Sequence, residues 1–412
     1  MTRRQTGLRV FNAETGMGIL RTDRAENGIL IKENTSMKSE NLFSETECNT
    51  GRQRELDLAK AIPVLFLPFV HTVIECAGEE TLLHGFPFVL DCFIGGPMSA
   101  PMFMFAMGIG IRFLADKSPK ALCLRALKVA GIGILLNVFR FLLPYLVGYG
   151  ISGDAEHFLV PLWYRFFGND ILQFAPLGIL CIALFRKLKL SHGILLSIPA
   201  VTLLIGWALI GIDFKSPVLN TALGYLLPTE DAAGLVVSDF PLLNWLIFPV
   251  YGYLFGYYLR RVSDKDRFYR ILTPIALAVC VIYFPLAIQY EWGMFGPGEN
   301  AYYHMTGYDG IVFLCVVISM LGICWAVSKY LPEPLTRFVL RISRGMTAFY
   351  CIHWVFVRVI TNVILYLING TQELPEGEIY LLSLAIGIVT TVLVFLWQDY
   401  KEGLLNRMEA AQ

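Results

Sequence analysis

An apolar stretch at residues 308–329, YDGIVFLCVVISMLGICWAVSK, decides the fold class of this chain. Its only charged side chains are Asp309 and Lys329, at its two ends. A helix needs about 20 mostly apolar residues to cross the ~30 Å hydrocarbon core of a bilayer. Because lipid offers no partner for backbone polar groups, a stretch of this length predicts a membrane-spanning helix.

The same pattern recurs along most of the chain, which is 56% hydrophobic and only 16% charged. Soluble domains carry about 25% charged residues. The sequence therefore predicts an all-α polytopic membrane protein, a single bundle of about ten spans. These lie at residues 57–76, 92–114, 122–147, 170–186, 193–211, 242–259, 271–289, 308–329, 345–368 and 378–398. Gly95-Gly96-Pro97 and Pro101 interrupt the second span, which predicts either a broken helix or one that begins at Pro97.

Basic residues in the short loops predict the orientation of the bundle. Seventeen lysines and arginines lie in the loops that follow the even-numbered spans, whereas the loops after the odd-numbered spans hold only Arg165 and Lys215. The seventeen are Arg112, Lys117, Lys120, Arg125, Lys128, Arg186, Lys187, Lys189, Arg260, Arg261, Lys265, Arg267, Arg270, Lys329, Arg337, Arg341 and Arg344. This asymmetry predicts a multi-pass protein of the plasma membrane with both termini in the cytoplasm.

The chain then divides into a flexible polar cytoplasmic tail at 1–51, the ten-helix domain at 52–400 and a short cytoplasmic tail at 401–412. Positive and negative residues balance at 33 each, so no basic field points to nucleic acid. The nine cysteines show no metal-ligand spacing, and eight of them lie in or beside apolar spans. We therefore expect no metal site and no bound cofactor.

Six ionisable residues lie inside predicted spans, where a charge is costly and normally faces the bundle interior with a partner. They are Lys60, His71, Glu75, Arg140, His353 and Arg358. At 1.5 Å per residue, His71, Arg140 and Arg358 all lie roughly 20–27 Å into their own spans. Three helices therefore offer polar groups at a similar depth.

His71 and Glu75 are four residues apart and so share one helix face. A carboxylate that accepts a proton from one imidazole nitrogen leaves the other as an acceptor, which suits a general base. The alternatives are a buried pair that only satisfies itself, or a Glu75 that reaches interfacial water. Arg140 and Arg358 are candidates to pair with Glu75, hold an anionic substrate group or stabilise an oxyanion; the alternative is an interhelical salt bridge.

Other candidates lie nearer the membrane surfaces. Lys60, Arg125 and Lys128 form a basic set at the predicted cytoplasmic mouths of spans 1 and 3, where a phosphate-rich donor would enter. The topology rule alone also explains basic residues there. His304 follows Tyr302 and Tyr303, which indicates either an aromatic lining for a sugar or an interfacial residue.

Five segments, taken in order, resemble the membrane acyltransferases of acyltransferase family three and their heparan-α-glucosaminide N-acetyltransferase-like relatives. In Arg54–Lys60 followed by His71, ten residues separate Lys60 from the histidine, as in the opening span of that superfamily. The other segments are Ser99–Gly110, Arg125–Lys128 with Arg140–Pro144, Asp170–Gly178, and Ile342–His353. Lys128 stands where the family usually has a second arginine.

The resemblance implies transfer of an acyl group, commonly acetyl, across the membrane from a cytoplasmic thioester such as acetyl-CoA. The acceptor would be a hydroxyl or amine of a sugar or another envelope molecule. His71 would then be the catalytic base or a transient acyl carrier, oriented by Glu75. Lys60, Arg125 and Lys128 would guide the donor phosphates. Arg140 would lie near the transfer point, and His353, Arg358 and His304 would line the channel or acceptor side.

Two other function classes compete with acyl transfer. A transporter or permease would use the same buried histidine, glutamate and arginine residues as a proton relay or substrate site. Against that reading, the two halves of the sequence show no inverted repeat. A membrane scaffold without catalysis would leave the costly charges of spans 1, 3 and 9 unexplained.

Overall fold

Ten longer helices make up most of the computed structural model, which describes residues 41–114, 118–231, 238–297 and 300–410. They are α1 (Arg54–Cys76), α2 (Gly85–Phe113), α3 (Pro119–Ser152), α4 (Ile171–Lys187), α5 (His192–Ala208), α6 (Ile247–Leu259), α7 (Lys265–Gln289), α8 (Gly307–Ser328), α9 (Glu333–Asn369) and α10 (Glu376–Ala410). Short helices lie at Glu79–Leu82, Ala155–Phe158, Leu162–Phe167, Pro217–Leu223, Leu242–Trp245 and Gly293–Phe295.

The prediction of an all-helical membrane protein is confirmed. Within the described residues, extended pairing is limited to three isolated bridges. Seven helices are long and apolar enough to cross a bilayer: α1, α2, α3, α7, α8, α9 and α10. The predicted spans at 170–186, 193–211 and 242–259 correspond to α4, α5 and α6, of 17, 17 and 13 residues. The count of ten spans and the cytoplasmic orientation of the termini stay predictions.

The second span contains the break that its glycine and proline residues predict. A π-helical segment, Leu90–Gly95, gives way to a turn at Gly96, and a regular helix resumes at Ala100. Pro101 lies in the first turn of that helix, where its missing N–H costs nothing. Because of this break, α2 is not one continuous helix where it passes α1.

Glycines allow a close backbone contact between α2 and α6. A Cβ added at Gly108 would lie 2.0 Å from the carbonyl oxygen of Pro249, and one at Gly252 would lie 2.1 Å from that of Phe105. Small residues let membrane helices approach to backbone contact, where dispersion forces are strongest. Elsewhere α1 packs against α8, α9 and α10, and α3 packs against α4.

Part of the predicted tail is ordered against the bundle. Residues 41–51 lie beside the turn that follows α6, where Phe43 pairs with Val262 and the amide of Cys48 donates to Arg260. Glu47 binds the Arg260 guanidinium at 2.6 Å. Residues 1–40 of the predicted tail, Lys117 and residues 411–412 lie outside the described part of the chain.

Candidate active site

A cavity of about 520 Å³ lies between the last ten residues of α1 and the helices around them. Its wall combines α1, the broken part of α2, the middle of α3, the start of α4 and the second half of α9. Tyr302 and Tyr303 close one side from the loop before α8. Four of the predicted candidates line this space: His71, Glu75, Arg140 and Arg358.

Two π-helical segments line this cavity, and a third follows the lining residues of α9. Leu90–Gly95 supplies Asp91, and Val138–Leu142 supplies Arg140. Ile360–Leu365 begins two residues after Arg358 and contains Asn362. A π segment inserts one residue into an α-helix and re-aims the side chains around it, and such segments are frequent at functional sites.

His71 is oriented by a second histidine from α9. Nδ1 of His71 lies 2.7 Å from Nε2 of His353, and Nδ1 of His353 lies 2.9 Å from the carbonyl oxygen of Phe349. A carbonyl only accepts, so Nδ1 of His353 carries the proton and its Nε2 is the acceptor. His71 must then donate from Nδ1, which leaves its own Nε2 with a free lone pair. Neutral His71 is thereby set as an acceptor toward whatever occupies the cavity.

Stacking on a tryptophan also fixes the orientation of the His71 ring. Trp354 stacks on it with centroids 3.9 Å apart and an angle of 22° between the planes. The guanidiniums of Arg140 and Arg358 each lie 5.2 Å from the Trp354 ring. A stacked indole that contacts two cations has little freedom to rotate, so it limits His71 to one orientation.

The pairing of His71 with Glu75 that their spacing predicts is not what the structure shows. The Glu75 carboxylate accepts from Arg358 at 2.6 Å and from the amide of Asn362 at 3.0 Å, both on the α9 side. An arginine attracts a carboxylate more strongly than a neutral imidazole does, so Glu75 pairs with Arg358 and not with His71. His353 takes the place predicted for Glu75 beside His71.

Arg140 forms the second buried ion pair of the cavity wall. Its guanidinium lies 2.6 Å from the Asp170 carboxylate, and both Asp170 oxygens also accept from Tyr350, at 2.7 and 2.8 Å. Arg140 is 4% exposed. The sequence left an interhelical salt bridge as the alternative role of Arg140 and Arg358. Both residues form such a bridge, and both also line the cavity.

Asp239 faces the cavity from the loop before α6, held by its amide on the Asn169 carbonyl at 3.1 Å. Enclosure by the protein and then the nearby Asp170 carboxylate raise the pKa of Asp239 to about 7, although Arg165 partly opposes this. A carboxyl with such a pKa exchanges its proton near neutral pH, so the cavity wall holds a second group able to take up or release a proton.

We expect Asp239 to make the protein less stable as pH rises. Between the usual pKa of 3.8 and about 7, the unfolded chain has lost a proton that the folded chain keeps, so the free energy of unfolding falls as pH rises through that window. Asp239→Asn stays neutral, and it should unfold at a higher temperature than the parent at about pH 8 but at a similar one at about pH 4. Thermal unfolding in detergent measures this.

Asp213 is the control for that measurement, because hydrogen bonds from Lys215 and Asn220 lower its pKa to about 2. Its carboxylate favours folding above pH 3.8, and this contribution disappears as pH falls through about 2. Asp213→Asn should therefore not raise the unfolding temperature at high pH. Parallel pH curves for Asp239→Asn and the parent would contradict the assignment to Asp239.

His304 does not reach the cavity, whereas its neighbours Tyr302 and Tyr303 do. Its ring lies 3.2 Å from the Glu230 carboxylate and donates to the Ser238 carbonyl at 2.9 Å. Burial lowers the pKa of His304, although the bond to Glu230 acts against it. Its contacts indicate that it anchors the loop that carries Asp239.

Lys60, Arg125 and Lys128 lie away from the cavity. Lys60 is roughly 16 Å from His71 along α1, and its ammonium lies 3.5 Å from Asp57. Arg125 and Lys128 are exposed on α3, the helix that packs against α4. The structure does not join these three side chains to the site of His71, and their role toward a donor stays a prediction.

Four residues of the site received no role from the sequence: Asp170, Asp239, Tyr350 and Trp354. Three of them carried a signal, because Asp170 stands directly before an apolar stretch and the two aromatics flank His353. Asp239 lies in a loop without periodicity, and nothing in its neighbourhood distinguishes it before the chain is folded.

Apolar helices around a polar cavity with an oriented histidine define the class of protein, an integral membrane protein with a buried polar site. A family described as an acyltransferase domain, acyltransferase family three, matches residues 53–397, and the chain belongs to that family. The predicted family is thus confirmed, and it supports a membrane acyltransferase rather than a permease. No curated protein and no solved structure matches the chain.

Proposed function

We propose that this protein transfers an acetyl group from acetyl-CoA, or a similar cytoplasmic thioester, to a hydroxyl or amine of a carbohydrate or another envelope molecule. The observation that carries the proposal is the chain from Phe349 through His353 to His71, which leaves Nε2 of His71 as an acceptor in the cavity. Since the chain belongs to an acyltransferase family, acyl transfer is the reaction in which Nε2 of His71 would accept a proton.

In the direct route, the acceptor oxygen or nitrogen attacks the thioester carbonyl while Nε2 of His71 takes its proton. A C–O or C–N bond forms and the C–S bond breaks. The proton on His71 then passes to the leaving thiolate sulfur, and the histidine returns to its starting state. In the alternative route, Nε2 attacks the thioester carbonyl, so that a C–N bond forms and the C–S bond breaks to release the thiolate. The acceptor then attacks the acyl group, the C–N bond to His71 breaks, and the proton that the acceptor loses goes to the thiolate.

The two arginines of the cavity wall support the charge that develops on the carbonyl oxygen. Arg140 and Arg358 are each fixed by a carboxylate, at 2.6 Å from Asp170 and from Glu75 respectively. Preorganised donors of this kind stabilise an oxyanion without having to reorient during the reaction. In this proposal Glu75 is a positioning residue that acts through Arg358.

On the donor side, Lys60 and the exposed pair Arg125 and Lys128 remain the candidates for the phosphates. Since Lys60 is roughly 16 Å from His71 along α1, only a donor with a long arm between phosphates and thioester would reach both. Coenzyme A thioesters have that shape. The acceptor would then enter beside Tyr302 and Tyr303, whose aromatic faces suit a sugar ring.

The proposal is tested with purified protein and radiolabelled acetyl-CoA, by following release of the free thiol and transfer of label to added sugars. The expected result is thiol release that depends on the protein and rises with a suitable acceptor. Solute flux through reconstituted vesicles without any thioester, together with no thiol release, would contradict the proposal and favour the permease.

We expect His353 to act as a positioning residue. His353→Leu removes the acceptor for Nδ1–H of His71, so the base loses its fixed tautomer; a lost hydrogen bond of about 1–3 kcal/mol corresponds to a roughly 5- to 150-fold lower kcat. KM for the donor should change little. His353→Gln, whose side-chain oxygen accepts a hydrogen bond, should recover part of the rate.

A structural role for His353 would give a different pattern. If the leucine and glutamine variants lose activity and thermal stability in parallel, His353 supports the fold and not the tautomer of His71. The pH profile of kcat provides a further readout, because only the loss of a fixed tautomer changes how His71 titrates in the enzyme–substrate complex.

A further inference from the structure

A buried amide, that of Asn362, joins three helices beside the cavity of the candidate active site. Asn362 lies on α9, within the π-helical segment Ile360–Leu365, and is 3% exposed. Its Nδ2 donates to Oε2 of Glu75 on α1 at 3.0 Å, and its Oδ1 accepts from the hydroxyl of Tyr145 on α3 at 2.9 Å. The side chain therefore connects α9 to both α1 and α3 at the Arg358–Glu75 ion pair.

The orientation of this amide follows from its partners. An ionised carboxylate only accepts hydrogen bonds, so the nitrogen of Asn362 must face Glu75. Its oxygen then accepts from the Tyr145 hydroxyl and lies 3.4 Å from Nη1 of Arg358, which is also a donor. A flipped amide would place its oxygen against the carboxylate and its nitrogen against the guanidinium. The four side chains therefore form one network with a single favourable arrangement.

Contacts from the loop after α3 hold the π-helical backbone that carries Asn362. The carbonyl oxygen of Asn362 accepts from Nε2 of His157 at 3.2 Å. The His157 ring stacks on that of Tyr366 with centroids 3.4 Å apart, and the Tyr366 hydroxyl donates to Asp154 at 2.6 Å. A π segment is rare and is frequent at functional sites when it occurs. Here the irregular backbone is bonded on one side to the loop and on the other to the ion pair.

The network determines which nitrogen of Arg358 is left for a substrate. Nη1 of Arg358 binds Oε2 of Glu75 at 2.6 Å and also faces Oδ1 of Asn362. Nε is buried and makes no hydrogen bond within the described residues. Nη2 takes part in neither contact, and Arg358 lines the cavity. Since Nη1 is held by two acceptors, the guanidinium cannot rotate freely, and Nη2 is the nitrogen that can donate to a thioester carbonyl.

We propose that Asn362, held by Tyr145, is a positioning residue that fixes the Arg358–Glu75 pair for acyl transfer. The inference rests on the proposed function, in which Arg358 supports the negative charge that develops on the carbonyl oxygen. A donor that is already oriented stabilises this charge without reorganisation during the reaction. Loss of the contacts to Asn362 lets the guanidinium move, so it should weaken binding of the transition state more than binding of the donor.

Two variants of different severity test the proposal. Tyr145→Phe removes one hydroxyl and keeps the ring, whereas Asn362→Leu removes both the donor and the acceptor of the amide. Tyr149→Phe is the matched control, because Tyr149 lies one turn further along α3 and is exposed. Thiol release in the presence of an acceptor gives kcat and the KM for the donor, and thermal unfolding in detergent reports the stability of each variant.

We expect kcat to fall about threefold to tenfold in Tyr145→Phe and by about tenfold or more in Asn362→Leu, because one and several hydrogen bonds are lost respectively. The KM for the donor should stay within about twofold of the parental value. Tyr149→Phe should keep the parental rate. A parental kcat in folded Asn362→Leu would overturn the proposal.

Combination with Arg358→Lys separates positioning from support of the fold. If Asn362 acts through Arg358, Tyr145→Phe should slow the Arg358→Lys enzyme by less than about twofold, because the group that it helps to position is already lost. Equal slowing in both backgrounds, or a loss of kcat that only follows the loss of folded protein, overturns the proposal. Failure of the proposed function is recognised separately, since the parent itself would then release no thiol, and this inference would be lost with it.

Discussion

Acyl transfer by the His71→Ala variant is expected to fall by about three orders of magnitude, within the 10²- to 10⁴-fold range that a positioned base contributes. Alanine removes the Nε2 acceptor together with the ring that Trp354 and His353 hold in place. The rate is measured as thiol release and as label transferred to acceptor. The same loss is expected whether His71 acts as base or carries the acyl group.

His84→Ala is the matched control, because His84 is exposed and its side chain caps no helix. It should retain the parental rate. The His71 variant must also keep a parental unfolding temperature, so that lost activity is not lost protein. Turnover within a factor of two of the parent in folded His71→Ala would remove this residue from the mechanism.

The largest effect on stability is expected from Asp170→Asn. The carboxylate of Asp170 binds Arg140 at 2.6 Å, accepts from Tyr350 and caps the first turn of α4 through the amide of Ile171 at 2.5 Å. The neutral asparagine side chain of the variant leaves Arg140 buried without a counter-charge. Breaking a buried ion pair by removing one partner costs about 3–5 kcal/mol. Chemical unfolding in detergent should show this decrease.

Two further variants separate the charge from the packing. Arg337→Gln breaks an exposed pair with Glu333 and should leave stability nearly unchanged, because solvent screens such pairs. Arg140→Met combined with Asp170→Leu removes both charges and should recover part of the stability lost in Asp170→Asn. If Asp170→Asn unfolds like the parent, the pair does not stabilise the bundle.

Much of the fold follows from the sequence because lipid makes each span satisfy its own backbone. Apolar length alone identifies α8, and Gly95-Gly96-Pro97 locates the break in α2. The sequence predicts less well where helices are short: α6 has 13 residues, too few for a regular span, and contacts with α2 rather than length explain its place.

The sequence predicted which residues form the site better than it predicted which of them contact each other. Burial cost singled out His71, Glu75, Arg140 and Arg358, and all four line one cavity. Local spacing predicted the wrong neighbour for His71, because helix periodicity describes one helix and His353 comes from another, 282 residues away. A residue such as Asp170 is also ambiguous in sequence, since an aspartate before an apolar stretch equally predicts a helix cap.

The hydrogen-bonded chain behind His71 has a consequence for energy coupling. It ends on the carbonyl of Phe349, which accepts a hydrogen bond but does not take up a proton at physiological pH. A proton captured at Nε2 therefore has no onward path through His353 and leaves only through the cavity, where the thiolate accepts it. Each catalytic cycle would close without moving charge across the bilayer, and its rate should not respond to a proton gradient imposed on sealed vesicles.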